Sequence, residues 1–171
     1  MELERLIEER FSCKKFKPIK VEEEKLLKIL EAGNKAPTAT NAQPQRIYVI
    51  ESEEAINKLN GITRCVYGAK TALLIAYSKE NEWKNPLEEG VHAGVEDASI
   101  VATFMMLEAS NLGVDSCWVN YFANSKLEEA FGLPEDEKSV LLLILGYKEE
   151  GVGPLPNHNK KKPLEETVKR L

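Results

Sequence analysis

The stretch ERFSCKKFKP, residues 9–18, places polar and apolar side chains at alternate positions. Arg10, Ser12 and Lys14 occupy every second position. On a helix, residues at this spacing would spread over about 400° of rotation, whereas an extended segment holds them on one face over roughly 13 Å. The pattern therefore predicts an extended segment with one cationic, hydroxyl-bearing face and one buried face. An alternative that fits the same residues is a solvent-exposed helix end that continues into a loop.

Length and composition limit the class of protein. The 171 residues, 43% of them apolar, suffice for one domain with a core, and no linker rich in proline or glycine precedes GVGPLPN near the end. We therefore predict a single domain, residues 1–171, with a C-terminal extension at about 151–171. The net charge of −5 argues against a nucleic acid or an acidic membrane surface as the main partner.

The start of the chain and its cysteines point to a cytoplasmic protein. MELERLIEER lacks the positive start and apolar core of a signal peptide, and the longest apolar stretch, ASIVATFMMLEA, falls short of the roughly 18 residues of a membrane span. Cys13, Cys65 and Cys117 are odd in number and form no CxxC motif, so we expect reduced thiols. With His92 and His158 as the only histidines, we expect no transition-metal centre.

Amphipathic and short apolar segments alternate along the chain. Helices are predicted at about residues 2–11 and 21–34. Strands are predicted at RIYVIE, TALLIAYS, SCWVNY and SVLLLILGY, each rich in branched or aromatic residues. Ser52 and Ser125 are predicted N-caps of further helices, and Ser125 forms a capping box with Glu128.

The segment from about 91 to 112 reads as a long helix that is apolar nearly all round. Such a helix must be buried on several sides. In a chain this small we predict that it lies at the interface of a homodimer. Met105 and Met106 are then packing residues rather than cofactor contacts.

A second stretch, KAPTATNAQPQRIYVI at residues 35–50, joins the second helix to the first strand. Its core, residues 37–41, consists of small hydroxyl and amide residues. Such a loop exposes backbone N–H groups and short donors that can hold a phosphate or the polar edge of a planar ring. Taken alone, it also fits an ordinary turn with caps.

The two motifs, in this order, resemble those of the FMN-dependent nitroreductase family. Arg-x-Ser-x-Lys ends an N-terminal helix, and Ala-Pro-Thr-Ala-x-Asn-x-Gln-Pro follows 22 residues later. The likeness continues through GVHAGVEDASIVATFMMLEASNLGVDSCWVNYF and FGLPEDEKSVLLLILGYKEE to the closing KKKPLEETVKRL. It implies an α+β, three-layer fold with a central, mainly antiparallel sheet flanked by helices. It also implies a domain-exchanged homodimer with an FMN in each of two interface clefts and the C-terminal extension reaching the partner subunit.

The resemblance assigns the first motif to the flavin. Arg10 and Ser12 match family positions that contact the FMN phosphate and ribityl chain, and Lys14 matches the cation near N1 and O2 of the ring. Physics agrees with the last assignment, because two-electron reduction places negative charge near N1 and O2 and a fixed ammonium stabilises it. Many short members carry arginine where this chain has Lys14.

Further FMN contacts are implied in two other segments. The loop residues that match contacts to the flavin of the other subunit are Pro37, Thr38, Ala39 and Asn41. In the tail, one or both of Lys160 and Lys162 match a basic phosphate contact, and we prefer Lys162.

The acceptor pocket is the least defined part of the resemblance. Tyr67, Trp118 and Tyr121 are candidates for its wall, although the same residues fit the core or the dimer interface. Gln45 stands where many members have an aromatic residue. The chain is also too short for the insert that forms a lid over the flavin in larger members.

The resemblance implies an oxidoreductase that passes hydride from NADH or NADPH through flavin N5 to an aromatic acceptor, a nitroaromatic or a quinone, in a ping-pong cycle. No GxGxxG fingerprint is present, so the nicotinamide would stack on the flavin rather than occupy a Rossmann site. Two alternatives stay open. One is a reductive dehalogenase-like or flavin-consuming enzyme on the same scaffold, and the other is an FMN-binding protein without turnover.

Overall fold

The computed structural model describes residues 3–171, which form one four-stranded antiparallel sheet with helices on both faces. The strands are β1 (Gln45–Ile50), β2 (Thr71–Ser78), β3 (Asp115–Val119) and β4 (Glu137–Gly146), in the spatial order β1-β2-β4-β3. The helices are α1 (Leu3–Glu9), α2 (Glu23–Asn34), α3 (Glu53–Asn60), α4 (Gly94–Asn111), α5 (Asn124–Phe131) and α6 (Leu164–Thr167). The predicted α+β, three-layer fold is confirmed. No helix within residues 3–171 is long and apolar enough to cross a membrane.

The sheet separates two hydrophobic clusters. Along β2, Ala72 and Leu74 point to the side covered by α3 and α5, while Leu73 and Ile75 point to the side covered by α2 and α4. Burial of both faces explains why TALLIAYS and SVLLLILGY are almost continuous apolar runs rather than alternating ones. The sheet is therefore the rigid middle layer on which both groups of helices rest.

Helices α2 and α4 approach each other closely at Gly33. A Cβ added at Gly33 would lie 2.7 Å from Cγ of Met105, closer than real side chains come. Met105 is fully buried and Met106 packs at the edge of the same cluster, so the predicted packing role of both is confirmed. This contact fixes the end of α2 from which the loop at residues 37–43 leaves.

The outer face of α4 stays apolar and exposed in the single chain. Ile100 and Phe104 lie on it, with Phe104 40% exposed, and Val95 is exposed in the first turn of the helix. Helix α1, which contacts α4, adds the exposed side chains of Leu3 and Ile7. The structure thus retains the feature from which the sequence predicts a dimer interface.

Element ends differ from the predictions by a few residues, and one cap is wrong. Helix α1 ends at Glu9, before the predicted end at 11, and residue 2 lies outside the described residues. Ser52 caps α3 as predicted, because its side chain accepts from the N–H of Ala55. Ser125 does not cap α5. That helix begins at Asn124, and the Glu128 carboxylate accepts from Ser139 of β4 instead of closing a capping box.

Candidate functional site

The segment that contains Ser12 and Lys14 is extended, as the alternation predicts. Cys13 donates its backbone N–H to Ser116 of β3 at 2.9 Å, and Phe16 donates to the carbonyl of Tyr67 at 2.9 Å. Cys13 is fully buried and Phe16 is 2% exposed, whereas Ser12 and Lys14 face outward. The segment therefore lies along the free edge of β3 with its polar side chains displayed.

The displayed side chains have no protein partner. Within residues 3–171, neither the Ser12 hydroxyl nor the Lys14 ammonium makes a side-chain hydrogen bond or ion pair. By contrast, the neighbouring Lys15 pairs with Glu149 at 2.7 Å. Lys14 is thus a cation on an anchored backbone segment, and its hydrogen-bonding capacity is free for a ligand.

Ser12 and Lys14 border a cavity of about 370 Å³ at the end of β3. All three predicted pocket residues, Tyr67, Trp118 and Tyr121, line the same cavity. The lining residues that sequence reasoning missed are Cys65, Cys117, Val119, Asn120, Leu155, Asn157 and His158. Because the lining contains aromatic and amide groups, one ammonium and no carboxylate, it suits a planar aromatic group that gains negative charge.

A short turn fixes the aromatic wall of the cavity. Tyr67 has φ +56°, in the left-handed region that is uncommon for a residue with a side chain, and Gly68 follows at φ +83°. The Thr63 hydroxyl donates to the carbonyl of Tyr121 at 2.6 Å and accepts from the N–H of Cys65 at 3.2 Å. The turn therefore ties the Tyr67 side of the cavity to the end of β3.

One thiol of the cavity wall, Cys117, is held in its protonated form by its surroundings. Burial raises the pKa of Cys117 to about 11, although the nearby Lys14 charge lowers it in part. Burial also raises the pKa of Tyr67, with a hydrogen bond to Cys65 acting in the same direction. At neutral pH these groups therefore contribute shape and polarisable surface rather than a nucleophile.

Arg10 is not brought into the same cavity as Ser12 and Lys14. It borders a neighbouring cavity of about 290 Å³, together with Lys148, Asp115 and Phe11. Its guanidinium has no hydrogen-bond or ion-pair partner within residues 3–171. The role of Arg10 toward a phosphate stays a prediction.

The loop at residues 37–43 does not line the cavity of its own chain. Three of its residues have left-handed backbone angles, with φ of +52° at Thr40, +58° at Asn41 and +49° at Gln43. Pro37 and Asn41 are exposed, and Thr38 and Ala39 are partly so. The predicted contact of this loop with the flavin of another subunit stays a prediction.

The predicted tail contacts are exposed. Lys162 pairs with Glu166 at 3.5 Å, and the side chain of Lys160 has no partner within residues 3–171. The earlier part of the same tail supplies Leu155, Asn157 and His158 to the cavity. The tail thus passes the site, and which lysine would meet a phosphate stays a prediction.

Several known proteins are similar to this chain in sequence and fold. A nitroreductase family protein from Clostridium difficile 630 has a solved structure that is 37% identical, covers 99% of this chain and 98% of its own, and superposes with a TM-score of 0.92. A protein described as an FMN-dependent nitroreductase from Clostridium difficile R20291 is 27% identical, with 96% of each chain covered and a TM-score of 0.76. A curated relative from Archaeoglobus fulgidus, provisionally named an NADH dehydrogenase/NAD(P)H nitroreductase, is 25% identical over 85% of both chains.

A family-level match covers most of the chain. The description of the nitroreductase family fits residues 7–67 and 60–147, which include the Ser12 and Lys14 segment, the loop at 37–43 and helix α4. The chain belongs to the nitroreductase family.

Proposed function

We propose that this protein is an FMN-dependent oxidoreductase that takes hydride from NADH or NADPH and passes two electrons to an aromatic acceptor, a nitroaromatic or a quinone. The chemistry that FMN supplies when bound is hydride acceptance and donation at N5. Membership of the nitroreductase family supports an oxidoreductase, and the relative described as FMN-dependent supports the choice of cofactor.

The observation that carries the proposal is the unpaired Lys14 ammonium at a cavity with aromatic walls. The cavity has room for part of a planar ring system and has no carboxylate that would repel a reduced, negatively charged ring. Lys14 comes from a segment anchored by backbone hydrogen bonds at Cys13 and Phe16, so the backbone that carries its side chain is in place before a ligand arrives. A fixed charge of this kind stabilises negative charge that develops near N1 and O2.

The remaining contacts of the proposed site require the homodimer. Arg10 and Ser12 would hold the ribityl chain and its phosphate, together with one or both of Lys160 and Lys162 of the tail, of which we prefer Lys162. The loop residues that would contact the same flavin from the other subunit are Pro37, Thr38, Ala39 and Asn41. The exposed apolar face of α4 and α1 supports a second copy as its cover, because large exposed apolar patches mark interaction sites.

The nicotinamide donor would use the same cleft as the acceptor. The sequence contains no GxGxxG fingerprint for a separate dinucleotide site. Tyr67, Trp118 and Tyr121 offer aromatic surface on which either planar reactant can lie. Binding of both reactants in turn at one place gives a ping-pong cycle.

We expect the purified protein to be yellow, with one FMN per subunit. The cationic segment and the donor-rich loop suit a flavin that carries a single phosphate. Extraction and chromatography of the flavin identify it. Anaerobic titration with NADH and then with NADPH, followed by absorbance, tests whether the donor bleaches it, and an acceptor panel follows. Extraction of FAD, or a bound flavin that neither nicotinamide reduces, contradicts the proposal.

We expect the thiols and imidazoles to be dispensable for turnover. Cys65, Cys117 and His158 line the cavity, so a mechanism that needed a protein nucleophile or proton donor would use them. Hydride transfer depends on geometry and fixed charge instead. Replacement of each cysteine by Ser or Ala, and of His92 or His158 by Gln, should leave NAD(P)H-dependent reduction within about tenfold of the parent at matched flavin content.

A loss of about a thousandfold with FMN still bound corresponds to about 4 kcal/mol of transition-state stabilisation and would place the chemistry on the protein. Replacement of the buried Cys13, which does not line the cavity, is the matched control for effects on folding alone.

A further inference from the structure

Asp97 is a buried carboxylate that reaches the loop at residues 37–43 from another element. It lies in the first turn of α4, is 2% exposed, and accepts the backbone N–H of Ala39 through Oδ1 at 2.9 Å. Its second oxygen, Oδ2, is buried and has no hydrogen-bond partner within residues 3–171. A carboxylate left half unsatisfied in the interior is costly, so its presence needs an explanation other than folding stability.

The loop that Asp97 holds is otherwise tied only to itself. Asn41 donates its N–H to Thr38, Ala42 donates to Ala39, and Gln43 donates to the Thr38 hydroxyl. For residues 37–43, the bond from Ala39 to Asp97 is the one hydrogen bond to another element within the described chain. The left-handed angles at three of these residues are unfavourable and persist only where the surroundings enforce them.

Helix α4 provides a rigid base for this tie. Its N-terminal end favours a negative side chain in the first turn, and a hydrogen bond from an N–H to a carboxylate is stronger than one to a neutral acceptor. Gly33 and Met105 lock α4 against α2, the helix from which the loop departs. The start of the loop is thus held by α2, and Ala39 is held by α4.

We propose that Asp97 is a positioning residue for the flavin site, which acts by holding Ala39, and through it Asn41, in the geometry that contacts the flavin of the partner subunit. The inference rests on the proposed function. In this proposal Asp97, which lies outside the cavity, keeps the loop at residues 37–43 in the conformation that contacts the flavin ring. Asp97 itself touches neither the flavin nor the reactants in this account.

The test removes the hydrogen bond from either side. Asp97→Ala deletes the acceptor. Ala39→Pro deletes the donor and leaves Asp97 in place, and the extended backbone of Thr38 is the conformation that a residue before proline prefers. Asp97→Asn retains an oxygen acceptor, and Glu96→Ala removes a neighbouring acid of the same helical turn as the matched control.

The measurement is titration of flavin-free homodimer with FMN, together with hydrogen exchange at the Ala39 amide in the flavin-free protein. We expect Asp97→Ala and Ala39→Pro each to weaken FMN binding by about tenfold, and the double variant to be no weaker than either single one, because both remove the same bond. Asp97→Asn should bind within about threefold of the parent and keep the Ala39 amide protected, and Glu96→Ala should change neither quantity.

The outcomes separate the inference from the proposed function. A parent protein that does not bind FMN overturns the proposed function, and the inference with it. A parent that binds FMN while Asp97→Ala binds equally well overturns the inference alone, as do additive losses in the double variant. If Asp97→Ala does not fold, Ala39→Pro decides alone, because a folded Ala39→Pro protein with unchanged FMN affinity is incompatible with the inference.

Discussion

Lys14→Glu should weaken FMN binding by about a hundredfold and lower the midpoint potential of the flavin that still binds. The change removes a charge-assisted hydrogen bond to the electronegative N1 or O2 of the ring and puts a carboxylate there instead. Hydrogen bonds to charged groups contribute about 1.5–3 kcal/mol, and a hundredfold loss of affinity corresponds to about 2.7 kcal/mol. Reduction places negative charge near N1 and O2, so a carboxylate in place of the ammonium disfavours the reduced form. A fall of on the order of 30 mV corresponds to about 1.4 kcal/mol for a two-electron couple.

Titration of flavin-free protein measures the affinity, and equilibration with redox dyes measures the potential. Lys20→Glu is the matched control, because it changes the net charge equally at an exposed lysine that does not border the cavity. An unchanged potential in Lys14→Glu, with FMN bound, would show that the Lys14 ammonium does not lie beside the ring.

Removal of residues 160–171 should convert the homodimer to monomers and abolish tight FMN binding. The tail exposes Leu164, Val168 and Leu171 in the single chain, and full burial of side chains of this size stabilises a contact by about 1.5–3 kcal/mol each. If they bury on the partner, their loss weakens dimerisation by at least about a thousandfold. Sedimentation equilibrium over a range of protein concentrations measures this change.

A full-length variant separates the effect of the apolar contacts of the tail from the effect of its lysine charges. Lys160→Gln combined with Lys162→Gln keeps the apolar contacts, so it should remain dimeric while it binds FMN more weakly. Loss of the exposed ion pair between Lys162 and Glu166 should change the stability of the dimer little. A truncated protein that stays a flavin-loaded dimer, or a full-length protein that is a flavin-loaded monomer, would contradict the assignment of the tail to the partner.

The sequence predicts best where one local pattern decides the structure. The two-residue period around Ser12 and Lys14 predicts the extended segment correctly, because Phe11 and Cys13 are buried together on its opposite face. The four predicted strands agree with the structure to within about two residues at their ends, because each is a short run of branched or aromatic residues. Predictions from local sequence fail where a residue distant in sequence competes for a hydrogen bond. The Glu128 carboxylate, expected in a capping box, instead accepts hydrogen bonds from Ser139 of β4.

The parts of the candidate site that sequence could not provide depend on tertiary placement. His158 and Asn157 reach the cavity because the tail folds back past β3, and no local signal in NKKKP or its surroundings indicates this. Thr40 and Asn41 have left-handed backbone angles although neither is glycine, the residue that usually indicates such angles in a sequence. Arg10 shares the alternation of Ser12 yet borders another cavity, because the polar face of the segment extends beyond one pocket.

The edge position of the Ser12 and Lys14 segment restricts how this chain can diverge in evolution. Backbone bonds at Cys13, Phe16 and Lys17 pin the segment at three points along its length. A deletion or insertion of one residue among residues 11–14, where buried and exposed side chains alternate, would exchange the two faces of the segment and turn Lys14 toward the core. Related sequences can therefore replace side chains here, as arginine for lysine, but they cannot change the number of residues. The length of this segment, rather than its composition, should be the most invariant property of the site.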